Sequence, residues 1–166
     1  LREMPSILAR MRTVRERRRE SVRKSTLAIA DYPERYGVEV IPDKPFLVIP
    51  KVSSERRQYV PIGYLEPPAI ASDLVFVIRD ADLSVFSMIT SAAHMAWLRN
   101  IGGRLKSDYR YSIGLVYNTF PWPTLTDADK ARLDALAQAV LDARAAHPDA
   151  TLADLYDPDV MPADLR

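Results

Sequence analysis

The sequence contains no cysteine. Disulfides and thiolate zinc sites are thereby excluded, and the composition suits a reducing cytoplasm, where the chain is expected to reside. Glycine is scarce, with five residues at positions 37, 63, 102, 103 and 114. None forms a glycine-rich turn after a strand, so no cradle for a nucleotide or S-adenosylmethionine is expected in this segment. The two histidines, His94 and His147, stand far apart and have no cysteine to join them in a metal cluster. No apolar run approaches the ~18 residues of a membrane span, so no membrane partner is expected. With these chemistries removed, the segment is expected to bind rather than to catalyse.

What is present is charge, unevenly placed. Hydrophobic residues make up 48% of the chain, enough for one domain with appended helices. The net charge of +1 conceals a division. Residues 125–166 carry four Lys/Arg against nine Asp/Glu, a net of −5, and residues 1–124 carry 19 against 13, a net of +6. A basic body with an acidic appendage is the pattern of a phosphate-facing protein. The chain opens Leu-Arg-Glu-Met-Pro and closes Met-Pro-Ala-Asp-Leu-Arg, which suggests a segment of a longer protein.

Periodicity predicts an α+β domain: a small mixed or antiparallel sheet with a buried helix, flanked by a long N-terminal helix and a C-terminal helix. Residues 5–31 read as one basic helix ended by Pro33, with Arg10, Arg12, Arg15, Arg17, Arg18, Arg19, Arg23 and Lys24 on it. Strands are expected at 38–41, 46–49, 59–64 and 74–78. A single buried helix is expected over 82–100, capped by Asp80 or Asp82, with Leu83, Phe86, Ile89, Ala93 and Trp97 as its stripe and His94 in a structural role. One or two strands are expected over 104–118. Thr126 and Asp129 then read as a capping box for a helix whose apolar face is Leu133, Leu136, Ala137, Val140 and Leu141, ended by His147-Pro148. A further helical turn is expected at 151–156 and irregular chain over the last ten residues.

Two stretches carry the chemistry of binding. Between strands, Ser53, Ser54, Arg56 and Arg57 are residue types that grip phosphate oxygens, and Arg104 is a further phosphate candidate. In the second stretch, Lys106 and Asp108 are two apart, so one strand face would present both. A lysine serves guanine O6 or N7 and an aspartate serves cytosine N4, so the pair suits one G·C base pair. Arg110, two further on, would reach a neighbouring base pair.

The run Gly103 to Ser112, followed by Val116-Tyr-Asn-Thr-Phe-Pro-Trp-Pro123, resembles the target-recognition domain of MmeI-like (type IIL) restriction–modification DNA methyltransferases. Ile49 to Arg57, Tyr59 to Gly63 and His94-Met-Ala-Trp97 resemble the same family and occur in its order. The resemblance runs from about residue 30 to 125 and more weakly to the end. It implies base-reading side chains at Lys106, Asp108 and Arg110, a second pair in Lys51 and Asp73, and Leu74 as a neighbour of Arg110. It divides the chain into a connecting basic helix (1–32), a recognition domain (33–124) and the start of a C-terminal helical region (125–166). It also implies a parent that methylates adenine N6 with S-adenosylmethionine, with or without a fused endonuclease, and duplex DNA and the parent's methyltransferase domain as partners. The family's Asn/Asp-Pro-Pro-Tyr motif is absent from the segment. Two other readings remain open. One is a protein-interaction module working through the Arg-rich helix. The other is a single-stranded RNA-binding domain stacking bases on Tyr109, Tyr111 and Trp122.

Overall fold

The computed structural model describes residues 4–37 and 41–166. The chain forms two compact units, residues 1–40 and 41–166.

In the first unit, helix α1 (Pro5–Arg19) opens with Pro at its first turn, where the missing N–H costs nothing. Arg17, Arg18 and Arg19 fill its last turn, favourably placed against the negative end of the helix dipole. The expected continuous helix to residue 31 does not form. The chain breaks after Glu20, Arg23 is extended, and a single turn α2 (Lys24–Leu27) follows. The break lets the chain fold back on its own arginines. The Arg18 guanidinium donates to the carbonyls of Ile29, Tyr32 and Arg35, and Arg19 pairs with Asp31 at 2.6 Å. Two arginines of the basic block thus hold the unit together. The short strand expected at 38–41 lies largely outside the described residues.

The second unit holds two three-stranded sheets, both antiparallel. The first has the order β3-β1-β4, with β1 (Phe46–Pro50) between β3 (Gly63–Leu65) and β4 (Val75–Arg79). Phe46, Leu47 and Ile49 are wholly buried, as a continuous apolar run in a central strand requires. The second sheet has the order β2-β6-β5, from β2 (Val52–Ser53), β5 (Gly103–Leu105) and β6 (Asp108–Arg110).

Between the strands lie two helices where one was expected. Helix α3 (Leu83–Thr90) is capped by Asp82, whose carboxylate accepts from Val85 N. Ser91 is extended and caps α4 (Ala92–Ile101) by accepting from His94 N. The break resets the helical phase. The expected stripe holds at Leu83, Phe86, Ile89 and the half-buried Trp97, but Ala93 is exposed, and α4 also buries His94, Met95 and Leu98. Gly102 ends α4 where a Cβ would lie 2.5 Å from the Leu98 carbonyl oxygen, so a side chain cannot stand there without moving backbone.

The expected strand through residue 118 also ends early. Residues Ile113–Tyr117 form one π-turn, with Asn118 N donating to Ile113 O. Helix α5 (Asp127–Ala145) begins at the expected capping box of Thr126 and Asp129. It packs on the core through Ala137, Val140 and Leu141, whereas Leu136 faces solvent. A single turn α6 (Leu152–Leu155) follows, and Leu155, Tyr156 and Met161 form a second small apolar cluster against which Tyr59 packs.

His94 is the polar centre of the core. It is 2% exposed, its Nε2 lies 2.8 Å from the Tyr111 hydroxyl, and the Phe120 ring meets it edge-on at 4.6 Å. Burial lowers its pKa from 6.5 to about 4. The unfolded chain therefore takes up a proton through a range in which the folded chain stays neutral. Stability is expected to be full above pH 6.5 and to fall by about 3 kcal/mol as pH drops toward 4. Denaturant midpoints across that range check it: His94→Phe should remove this part of the pH slope, and an unchanged slope would contradict the assignment.

Candidate nucleic-acid interface

Strand register decides which side chains face outward. In the second sheet Tyr109 lies opposite Ser53 and Arg104, while Arg110 lies opposite Val52 and Gly103, and Asp108 opposite Leu105. Directly opposed residues share a face. One face therefore carries Ser53, Arg104 and Tyr109; it packs inward at Tyr109 and Ser53, 7% and 4% exposed, whereas Arg104 at its edge is exposed. The other carries Val52, Leu105, Asp108 and Arg110. Asp108 is half-buried and the other three are exposed.

This corrects two expectations, those for the Ser53 hydroxyl and for the spacing of Lys106 and Asp108. Ser53 turns its hydroxyl into the protein, where it finds no partner, so it does not offer it to a phosphate. Arg104 is at the edge of the Tyr109 face and is exposed. Its guanidinium stacks 4.0 Å over the Tyr109 ring and donates to the Ser107 carbonyl at 2.9 Å, which fastens the hairpin. Lys106 and Asp108 are not two residues of one strand. The strands pair from Leu105 to Asp108, so Lys106 and Ser107 form the two-residue hairpin turn. Lys106 is exposed and has φ 57°, a left-handed conformation that glycine adopts more readily. The true two-apart pair is Asp108 and Arg110.

Three segments meet at this edge. Lys51 joins the two sheets: its N–H donates to the Leu74 carbonyl, and its carbonyl accepts from Tyr111 N, both at 2.9 Å. Its ammonium lies 5.1 Å from the Phe76 ring centre. Ser72 shapes the turn that carries Asp73 and Leu74, its hydroxyl accepting from Leu74 N, and both side chains are exposed. The turn after β2 is tied to the hairpin by Asp108, whose Oδ1 accepts from Glu55 N at 3.3 Å. Ser54 builds that turn, its hydroxyl accepting from Arg56 N and its carbonyl from Arg57 N. Arg57 is half-buried with its Nε unpartnered, and Arg56 is exposed and paired with Asp159. Neither Lys51 with Asp73 nor Lys106 with Asp108 closes as an ion pair among the described residues. These charges are not neutralised by one another.

Charge-based reading passed over Val52 and Leu105, apolar side chains on the face of Asp108 and Arg110. Strand alternation was the signal that pointed to them. Tyr109 and Tyr111, expected to stack unpaired bases in the RNA reading, are both buried, and the Trp122 indole N–H is held by the Tyr117 carbonyl. Among the described residues no group of three or more His, Asp or Glu is placed to hold a metal. Nor is any helix among them long and apolar enough to cross a membrane.

Residues 1–124 match the model of the MmeI target recognition domain, and residues 125–166 match that of the MmeI C-terminal domain. DNA methyltransferase A of Bacillus subtilis (strain 168) is 38% identical over 162 residues, covering 98% of this chain and 18% of that protein. The type IIL restriction–modification enzyme MmeI, solved in complex with DNA, is 42% identical with a TM-score of 0.87, over 96% of this chain and 21% of that one. The chain thus spans about a fifth of the length of these relatives. At these identities, and with three-quarters of the sequence inside one family model, the chain belongs to the MmeI target-recognition-domain family.

Proposed function

We propose that this chain recognises a specific sequence in duplex DNA on behalf of a larger restriction–modification methyltransferase. The observation that carries the reading is the meeting of the Lys51 junction, the Asp73-Leu74 turn and the 104–110 hairpin at one edge. Lys106, Asp108 and Arg110, with Lys51, Asp73 and Leu74, read base edges. Lysine and arginine serve guanine, aspartate serves cytosine, and Leu74, Val52 and Leu105 suit the thymine methyl. Arg56, Arg57 and the exposed Arg104 contact phosphates, and Ser54 shapes the turn that carries Arg56 and Arg57.

The parent methylates adenine N6 with S-adenosylmethionine, in the cytoplasm where its DNA lies. The described residues do not fit that cofactor. Gly63 is inside β3 and Gly102-Gly103 follow a helix, so no glycine turn opens after a strand to receive it. The cofactor belongs to the rest of the parent chain, and no step is assigned to these residues through it.

The backbone at Lys106 supplies a test. A lysine in a left-handed turn costs about 1 kcal/mol relative to glycine, so its side chain is kept for something other than stability. Lys106→Gly in the full-length protein is expected to leave the thermal midpoint level or higher. The same change should loosen the methylated-adenine motif at one position when source genomes with either gene are mapped. An unchanged motif would remove Lys106 from the reading set, and a lowered midpoint would give it a structural role.

A further inference from the structure

Arg56 stands in the turn after β2, and Asp159 meets it from 103 residues further along the chain. Both carboxylate oxygens accept from the single nitrogen Nη2, at 2.9 and 2.8 Å. The side chains are 63% and 68% exposed, so the pair lies open to solvent beside the proposed DNA surface. Asp159 is held there by other means. Its N–H donates to the Asp157 carboxylate, and Val160 and Met161 both donate to the Asp157 carbonyl. Met161 is buried with Leu155 and Tyr156 in the cluster that Tyr59 packs against. The acid is thus fixed at this place by backbone and apolar contacts that do not involve the arginine. It also belongs to the segment whose net charge is −5.

An exposed pair of this kind is weak and opens readily. A phosphate attracted to Arg56 must therefore compete with a carboxylate already in place. Sequence-independent binding rests almost wholly on phosphate neutralisation, so an arginine withheld from it weakens that binding directly. A complex that also makes base contacts has other favourable terms with which to open the pair.

We propose that Asp159 is a built-in competitor for DNA phosphate at Arg56, which holds down sequence-independent binding by this protein. The proposal rests on the reading of Arg56 as a phosphate contact, and the test separates the two. Full-length protein is titrated with salt on random-sequence duplex DNA, as wild type, Asp159→Asn, Arg56→Gln and the double variant. Among the described residues the Asp159 side chain hydrogen-bonds and ion-pairs only with Arg56, so Asp159→Asn is expected to keep the fold.

Asp159→Asn is expected to tighten binding about twofold to fivefold at low salt and to steepen the salt slope by up to about one unit. Arg56→Gln should weaken binding less in the wild-type background than in the Asp159→Asn background, where it should cancel that gain. Equal effects of Arg56→Gln in both backgrounds would overturn the proposal and leave Arg56 a phosphate contact. No effect of Arg56→Gln in either background would remove Arg56 from the phosphate set and the proposal with it. Weaker binding by Asp159→Asn would show instead that the acid orients the arginine, and this too would overturn it.

Discussion

Full-length protein carrying Lys106→Glu together with Asp108→Arg is expected to modify a different DNA sequence from its parent. The donor at the hairpin turn becomes an acceptor, and the acceptor on β6 becomes a donor. The base pair they address should change from G·C toward its reverse, while the charge summed over the two positions stays the same. Each matched base contact is worth ~1–3 kcal/mol, so the old base should be disfavoured by roughly tenfold to more than a hundredfold at that position. Total affinity for random duplex should change little, because it is set by phosphates. Asp108 also accepts from Glu55 N, which an arginine cannot do, so part of any loss will come from a loosened 54–57 turn. Asp108→Asn keeps that acceptor and measures that part alone. Methylation mapped to the original sequence in the double variant would show that these side chains do not read bases.

Ending the chain after Thr124 is expected to abolish folding of residues 41–124. The boundary between the two family models falls there, yet no structural boundary does. Helix α5 lies beyond it and covers α3. Ala137 is fully buried in the main core, and Val140 and Leu141 pack against the same cluster. Losing these with the half-buried Leu133 forfeits on the order of 5 kcal/mol of apolar burial, comparable to the whole stability of a domain this size. Arg144 adds to the loss, because its guanidinium lies over both the Phe86 and Tyr156 rings, 5.2 and 4.9 Å from their centres. Near-ultraviolet circular dichroism and a thermal scan decide the matter. The shortened chain should show neither fixed aromatic signals nor a cooperative transition, and a sharp transition near the midpoint of residues 1–166 would refute it.

The elements with local causes were legible in the sequence. The Thr126/Asp129 capping box and the apolar run of β1 announce themselves within a few residues, and the structure has them where the residues placed them. The misses lie where distant contacts overrule local pattern. Ser91 looks like any small residue in a helix, but its hydroxyl caps a new helix and turns a different face inward. The break after Glu20 depends on Arg18 finding three carbonyls up to 17 residues away. Lys106-Ser107 has none of the Asn-Gly or Asp-Gly chemistry of a two-residue hairpin turn, so the pair reads as strand. Ser53 is polar and passes for surface until the pairing of β2 with β6 assigns it to the Tyr109 side. The Arg56–Asp159 contact joins residues 103 apart and leaves no local trace.

On the proposed reading of Lys51 as a base contact, position 51 bears on how such a protein changes its preference. Both of its main-chain groups are spent on architecture, the N–H on Leu74 and the carbonyl on Tyr111. Neither bond depends on what hangs from the Cα. The main-chain grip at this spot therefore works like a tool chuck: both bonds persist for a residue that keeps an amide hydrogen, and proline loses one. Drift between one preferred sequence and another can pass through such a position by single substitutions, with each intermediate still folded.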